Sequence, residues 1–557
     1  MLRRCFLALP LSMIIFSSLG FPQGTPPPGL SKPLDLPAMP GAKANDLPDY
    51  TSGAKRVEEE GKVQFRSDNI LVRFPVIVTD HNGRPVSSLK QDSFHVFEDG
   101  SEQKITSFEE VTASTDALPP AQTTGPFTNL PPVVLEPRKL TVVLIDTVNS
   151  SILDEPGARK SLIDYLSSKA PFDHATSLLI LGSKGSEVIC PLSADPSQVS
   201  DFLKKQATRG NPSSQSNPAP SGEVCNSASL QRFISTGDPG ASQVKSDRAI
   251  ELTSRAFLET AWTLAGIPGK KSLVWLTEGF PFALKTPTTL PGGTQSVVYE
   301  RALAALHDAD TSVYPVNLRA VAQAAPNTEG GKRRWLDTST LDMLTNFASM
   351  TGGRAFLDKK DVGDALKNAA SDGSSYYLVG YELNTRDKKP GWRQLTVKVG
   401  NPDYQVLARN GFLVSNSVYD PELSRTSDLD IATASALDST AIPLTAAFQG
   451  ISGKGNRRKA DFSVVIRGDS VTFGQHGGNH FQLDVLTIAE KGDKQVAKLT
   501  QVVQGGLPPD QLAVVKAHGV GYKNSLELPP GDYTVRFIVR DKLSGKVGTL
   551  SAPLSIQ

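Results

Sequence analysis

The chain has 557 residues, too many for one hydrophobic core, since single cores stop growing near ~250–300 residues. Hydrophobic residues make up 39% and charged residues 21%, the balance of an ordinary globular chain rather than a disordered one. The formal net charge of +1 leaves no basic surplus for nucleic acid or an acidic membrane surface.

Met1-Leu2-Arg3-Arg4 is a short basic start, and residues 5–19 are mostly apolar and uncharged, with Ser17, Ser18 and Gly20 near their end. This is the pattern of a secretory signal peptide over 1–20, cleaved near Gly20. The apolar run is short for a membrane span, which needs about 20 residues; an uncleaved anchor is the alternative. No second span occurs later in the sequence. The mature chain is therefore expected to be exported, to the periplasm, the cell surface or the medium, with no stable membrane span.

Residues 21–62 read as a Pro-rich linker. Residues 63–112 predict a small immunoglobulin-like β module, with a hairpin turn at Asn82-Gly83. Residues 113–137 are a second linker, rich in Pro and Thr.

From 138 the pattern changes. Leu140-Thr141-Val142-Val143-Leu144-Ile145 is nearly all apolar, the mark of a strand buried on both faces. Further strands are predicted at 177–181, 272–277, 312–316 and 355–357. Helices are predicted at 156–168, 196–207, 246–265, 297–308 and 341–350, the third capped by Ser246. Alternating strands and helices imply a parallel, doubly wound, Rossmann-like sheet. A β extension comes next at 376–381, 394–399 and 405–408, with a charged turn at 386–390, and closes this unit at 415. A polar connection at 416–440 predicts a central domain, 138–415, that folds without residues 441–557. Residues 441–557 predict a final β-sandwich-like module. The expected fold is thus multidomain, a central α/β sheet flanked by immunoglobulin-like β modules.

Of three cysteines, Cys5 lies in the signal. Cys190 and Cys225 remain, an even pair in an oxidising compartment. A disulfide closing a Pro- and Ser-rich loop is expected, and two separate buried thiols are the alternative.

The residues with chemistry sit where buried strands end. Asp146 follows Ile145, and Glu278 follows Leu276-Thr277. Ligands of open parallel sheets bind outside the carboxyl ends of the strands. A poorly solvated carboxylate there wants a cation or several donors. Asn149, Ser150 and Ser151 add oxygens, and oxygen ligation suits Mg2+ or Ca2+. For the serines, capping of the next helix is the alternative. Enzyme signatures are missing: Gly-Ile-Pro-Gly-Lys-Lys-Ser at 266–272 only approximates a phosphate loop and precedes a strand. His476 and His480 flank Gly477-Gly478, which argues against a helical zinc site. Tyr376, Tyr377 and Tyr381 read as strand packing.

Asp146-Thr147-Val148-Asn149-Ser150 resembles the Asp-x-Ser-x-Ser motif of von Willebrand factor type A domains, and Thr277-Glu278-Gly279-Phe280-Pro281 resembles their later Thr/Ser-Asp-Gly motif. The string also resembles the VWFA-related acidobacterial domain family. The matching stretches are Val76-Ile77-Val78-Thr79-Asp80, residues 94–100, the Asp146-x-x-Asn149-Ser150 variant, residues 376–381, Gly391-Trp392-Arg393 and residues 408–412, so about 65–415 is covered. The resemblance implies a metal-ion-dependent adhesion site of Asp146, Asn149, Ser150 and Glu278, where a partner's carboxylate completes the shell of a Mg2+, Mn2+ or Ca2+ ion. Two departures weaken it: Val148 cannot ligate, and Glu278 replaces an aspartate. Thr208 and Thr236 are the candidates for the third element. Metal binding is expected to be weak or absent, and a nearby Lys or Arg is the alternative counter-ion. The function implied is an exported, non-enzymatic adhesion or scaffold protein that binds a protein partner. An unrecognised hydrolase and an accessory module for envelope complexes are the alternatives.

Overall fold

The computed structural model describes residues 69–116, 124–130, 136–169, 172–208, 224–279, 294–319, 338–358, 365–384, 391–414, 421–453, 456–474, 479–492 and 494–557. The signal segment, the first linker, the turn at 386–390, Phe280, Pro281 and His476 lie outside them.

The chain first forms β1 (Asn69–Thr79), β2 (Phe94–Glu98), β3 (Ser101–Gln103) and β4 (Ile105–Thr112). A short β5 (Phe127–Thr128) leads to β6 (Leu140–Asp146), α1 (Pro156–Lys169), β7 (Ala175–Gly182) and β8 (Gly185–Cys190). Then come α2 (Pro196–Thr208), α3 (Ser227–Ser235), α4 (Ser246–Leu264), β9 (Lys271–Thr277), α5 (Thr294–Asp308), β10 (Thr311–Asn317), α6 (Thr338–Thr351) and α7 (Ala365–Asp372). Four strands follow, β11 (Ser375–Asn384), β12 (Gly391–Val399), β13 (Gln405–Leu407) and β14 (Gly411–Val414), and then α8 (Pro421–Ala434). The last part holds β15 (Leu444–Ser452), β16 (Arg458–Ile466), β17 (Asn479–Lys491), β18 (Lys494–Leu507), α9 (Pro509–His518), β19 (Val520–Leu528), β20 (Gly531–Asp541) and β21 (Val547–Ile556).

The module expected over 63–112 is not self-contained. Its strands alternate and expose one apolar face that four short strands cannot cover. Strands from beyond the central layer complete it, in the sheets β13-β1-β11-β4 and β14-β12-β2-β3. Phe74, Val76, Phe94 and Val96 pack on Tyr377, Val379, Tyr381 and Leu395. The tyrosines therefore serve packing, and the Tyr377 hydroxyl donates to Val86 O at 2.9 Å and accepts from Leu89 N at 3.0 Å.

The central sheet has the order β10-β9-β6-β7-β8. Its first four strands run parallel, and β8 closes the edge antiparallel to β7. Every residue of β6, β9 and β10 is buried, as their apolar sequences require. Leu140, Val142 and Leu144 face α4, α5 and α6, while Val143 and Ile145 face α1, α2, α3 and α7. Helices thus cover both faces. The strand predicted at 355–357 is reduced to a single bridge from Phe356 to Val316. Helix α4 starts at Ser246 with Lys245 in the cap position and no side-chain cap, so Ser246 is not the cap.

The last sandwich pairs β19-β16-β15-β5 with β18-β17-β20-β21. Its strand β5 comes from 113–137, with Phe127 in the core, so that stretch is not linker throughout. Asn129 fastens it, donating to Ser439 O and Ile442 O and accepting from Leu444 N. Nor is 416–440 a loose connection. Helix α8 puts Ile431 and Ala432 into one core with Leu258 and Leu264 of α4 and with Leu486, Ile538 and Val547 of the last sandwich. Its polar residues hid this, because they are themselves partnered. Asp428 is fully buried between Arg301 and Arg540. The chain is a multi-sheet α/β protein whose parts share core.

Cys190 and Cys225 are joined as a disulfide, with Cα atoms 4.4 Å apart, at the end of β8 and just before α3. Closing a loop of this size contributes ~3–4 kcal/mol in the chain-entropy account. Among the described residues, no helix is long and apolar enough to cross a membrane.

Candidate functional site

Asp146 ends β6, and Glu278 directly follows β9, the parallel neighbour of β6. Both therefore stand at carboxyl ends of adjacent strands. Asp146 is 0% exposed. Its Oδ1 accepts the Asn149 backbone N–H at 3.0 Å. Its Oδ2 accepts Asn149 Nδ2 at 2.7 Å and Trp275 Nε1 at 2.9 Å, and the Thr277 hydroxyl, 3.2 Å away, divides its one proton between this oxygen and Gly279 O at 2.8 Å. Burial pushes its carboxyl above the ordinary carboxylate range, and these donors pull it back. Asn149 also donates to Thr253 Oγ1 of α4 at 2.8 Å. Its amide N–H thus takes the position toward Asp146 that a ligating oxygen would need to share with a cation.

Ser150 does not cap the 3-10 turn at Ser151–Asp154; its hydroxyl accepts the Glu278 backbone N–H at 3.1 Å. Ser151 donates to Glu278 Oε2 at 2.9 Å, with Ile152 N at 3.3 Å. The other carboxylate oxygen, Oε1, lies at ion-pair distance from Arg319 Nε, 2.9 Å, without an aligned hydrogen bond. The fold places Arg319 there. Asn317 ends β10 opposite Thr277 of β9, and its side chain accepts the Arg319 backbone N–H at 3.0 Å. Val148, where the adhesion motif has serine, packs against the central core.

The structure therefore brings Asp146, Asn149, Ser150 and Glu278 to one place. It adds Trp275, Thr253 and Arg319, which the sequence reading did not name as site residues, and Thr277, which it named only within the Thr277-Glu278-Gly279 motif. Trp275 and Thr277 lie two apart on β9, beside the strand that carries Asp146, and that register is the signal that points to them. Thr208 and Thr236 do not join. Thr208 donates to Lys204 O and Lys205 O of its own helix, and Thr236 follows α3 beside Ser235. As arranged, these residues do not fit a divalent ion. Two N–H donors and the neighbouring Thr277 hydroxyl crowd Asp146 Oδ2, and the Arg319 guanidinium stands by the charge of Glu278. Among the described residues, no group of three or more His, Cys, Asp or Glu side chains is arranged to hold a metal.

One other cluster has the look of catalysis. Thr141 Oγ1 lies 2.7 Å from His174 Nε2, and His174 Nδ1 lies 2.6 Å from Asp173 Oδ1. This is the order of a nucleophile, a base and an orienting acid. Thr141 and His174 are each only 2% exposed, so no substrate carbonyl reaches the hydroxyl. Burial lowers the His174 pKa, which keeps the ring neutral, and the chain of bonds ties the start of β6 to the start of β7.

No family model and no curated protein matches the sequence. Among solved structures, the crystal structure of the human COPII-coat protein Sec24c is similar at a TM-score of 0.22 and 10% identity. The match covers 57% of this chain and 47% of that one, so this chain spans about half the length of the matched structure.

Proposed function

We propose that the chain is an exported, non-catalytic binding protein with a von Willebrand factor type A-like, doubly wound central domain, whose face at Asp146 and Glu278 meets a protein partner without a metal ion. The motif order in the sequence supports the first part, as does the position of both acids beyond parallel strands. The disulfide is compatible with export.

The observation that carries the second part is the Arg319–Glu278 ion pair. In a metal site the cation relieves crowded carboxylates and leaves one position for a partner's acid. Here neutral donors serve Asp146 and a guanidinium serves Glu278. Arg319 is part-exposed, its Nε stands 2.9 Å from Glu278 Oε1 at ion-pair distance, and its guanidinium carries five N–H groups. An acidic side chain of a partner binds Arg319 where it would otherwise bind the ion, through charge-assisted hydrogen bonds.

Calorimetric titration with Mg2+ and Mn2+ tests this. The unsubstituted chain and Glu278→Gln should give the same unsaturable heats. A saturable heat that Glu278→Gln removes would restore the metal site.

A further inference from the structure

A cavity of about 280 Å3 lies at the opposite end of the central sheet from Asp146, against the first β-sandwich. Strands β1, β4 and β11 contribute Arg73, Glu109 and Tyr376. The other side is the turn at 266–269, Lys271 at the start of β9, and Asp308 and Asp310 around the end of α5. This turn is the near-phosphate-loop segment of the sequence.

Lys271 is 2% exposed, yet its ammonium has no hydrogen bond or ion pair among the described residues. An isolated buried charge is costly, and burial lowers the Lys271 pKa to about 8. Asp310 is near enough to act on it electrostatically, but no ion pair closes between them. Their backbones are joined, Lys271 N donating to Asp310 O at 2.9 Å. The carboxylates of Asp308 and Asp310 likewise have no hydrogen bond or ion pair among the described residues. Arg409 and Lys546 act on Asp308 only from a distance, and the Arg409 guanidinium stands over the rings of Phe74 and Phe412. The cavity lining thus holds buried Lys271 and exposed Arg73 with the carboxylates of Glu109, Asp308 and Asp310, of which Asp310 is half-buried and the other two exposed.

We propose that this cavity is a binding site for a small zwitterion of the amino-acid class, its carboxylate on Lys271 and its ammonium between Asp308 and Asp310. The carboxyl end of α5, at Asp308, adds partial negative charge on the side of the ammonium. The volume is at the small end of ligand sites, which run ~300–1,000 Å3, and suits a single amino acid better than a nucleotide. Phosphate does not fit. The carboxylates repel it, and the turn offers it few N–H groups. Those of Gly266, Ile267 and Lys270 already bond Thr440 Oγ1, Leu264 O and the Tyr376 hydroxyl.

The test is calorimetry on the full chain with a series of ω-amino acids from glycine to aminohexanoate, with butyrate, butylamine and inorganic phosphate as single-charge and phosphate controls. At least one amino acid should bind saturably. Butyrate and butylamine should bind about tenfold or more weakly, and Lys271→Met should weaken the amino acid by at least about tenfold, a change of ~1.4 kcal/mol. Should Lys271→Met fail to fold, lysine acetylation mapped by mass spectrometry on the unsubstituted chain decides, because the bound amino acid must protect Lys271. Failure of every amino acid to bind, equal binding by butyrate or phosphate, or undiminished binding with Lys271 unprotected overturns the proposal.

Discussion

Asp428→Ala should lower stability by about 3–5 kcal/mol, the cost of leaving buried charges without their partner. Asp428, Asp484 and Arg540 are each 0% exposed. Arg540 Nε donates to Asp428 Oδ2 at 2.8 Å, and Arg301 of α5 meets the other oxygen. Arg425 grips Asp484 with both Nε and Nη2, at 2.9 and 2.8 Å. Three parts of the chain therefore meet in one ionic cluster: α5 of the central layer, α8, and strands β17 and β20. Removing Asp428 deprives buried Arg540 Nε of its acceptor, leaving the longer pair with Asp484 at 3.6 Å, and takes from Arg301 its partner on α8. Urea unfolding checks this, and a loss below ~1 kcal/mol, typical of exposed pairs, would mean that water reaches the cluster. The same variant should separate the unfolding of the central layer from that of the last sandwich, since this cluster and the core around Ile431 join them.

Asp146→Ala should cost about 2–5 kcal/mol, through a cavity and through buried donors left without an acceptor. Trp275 Nε1 and the Asn149 backbone N–H lose this acceptor, while Asn149 Nδ2 keeps Thr253 Oγ1 and the Thr277 hydroxyl keeps Gly279 O. Asp146→Asn should cost less, about 1–3 kcal/mol, because one oxygen remains while the new amide N–H opposes some of those donors. Thermal melting of the two variants gives the order. Equal melting temperatures for the unsubstituted chain and both variants would show that the carboxylate does not organise the strand ends.

The parts of this fold that the sequence announced are those that a single segment specifies. Strands β6 and β9 read directly because both faces are buried and their residues are apolar throughout. Edge strand β8 did not read, because Gly185, Ser186 and Glu187 hide a strand that pairs on one side only. Two boundaries were misread for another reason. β5 pairs with a strand far along the chain and α8 packs between the central layer and the last sandwich, and their Pro, Thr and Asp content resembles linker until those partners are seen. Asp146 and Glu278 were legible as acids at strand ends. Arg319 was not, because what brings it to Glu278 is the pairing of β10 with β9 and the Asn317 turn, which are tertiary facts. Lys271, buried and without a hydrogen bond or ion pair among the described residues, was equally silent, since a lysine opening a strand reads as solvated.

Recognition at the Asp146–Glu278 face is proposed to depend on Arg319 and not on a divalent ion. The direct measurement is capture of a partner from envelope extracts by the immobilised full chain, in Mg2+ and in excess chelator, with Arg319→Ala alongside. The same captured protein is expected in both buffers, and its loss is expected with Arg319→Ala, which should still melt cooperatively. Capture abolished by chelator and restored by Mg2+, or undiminished with Arg319→Ala, would contradict this.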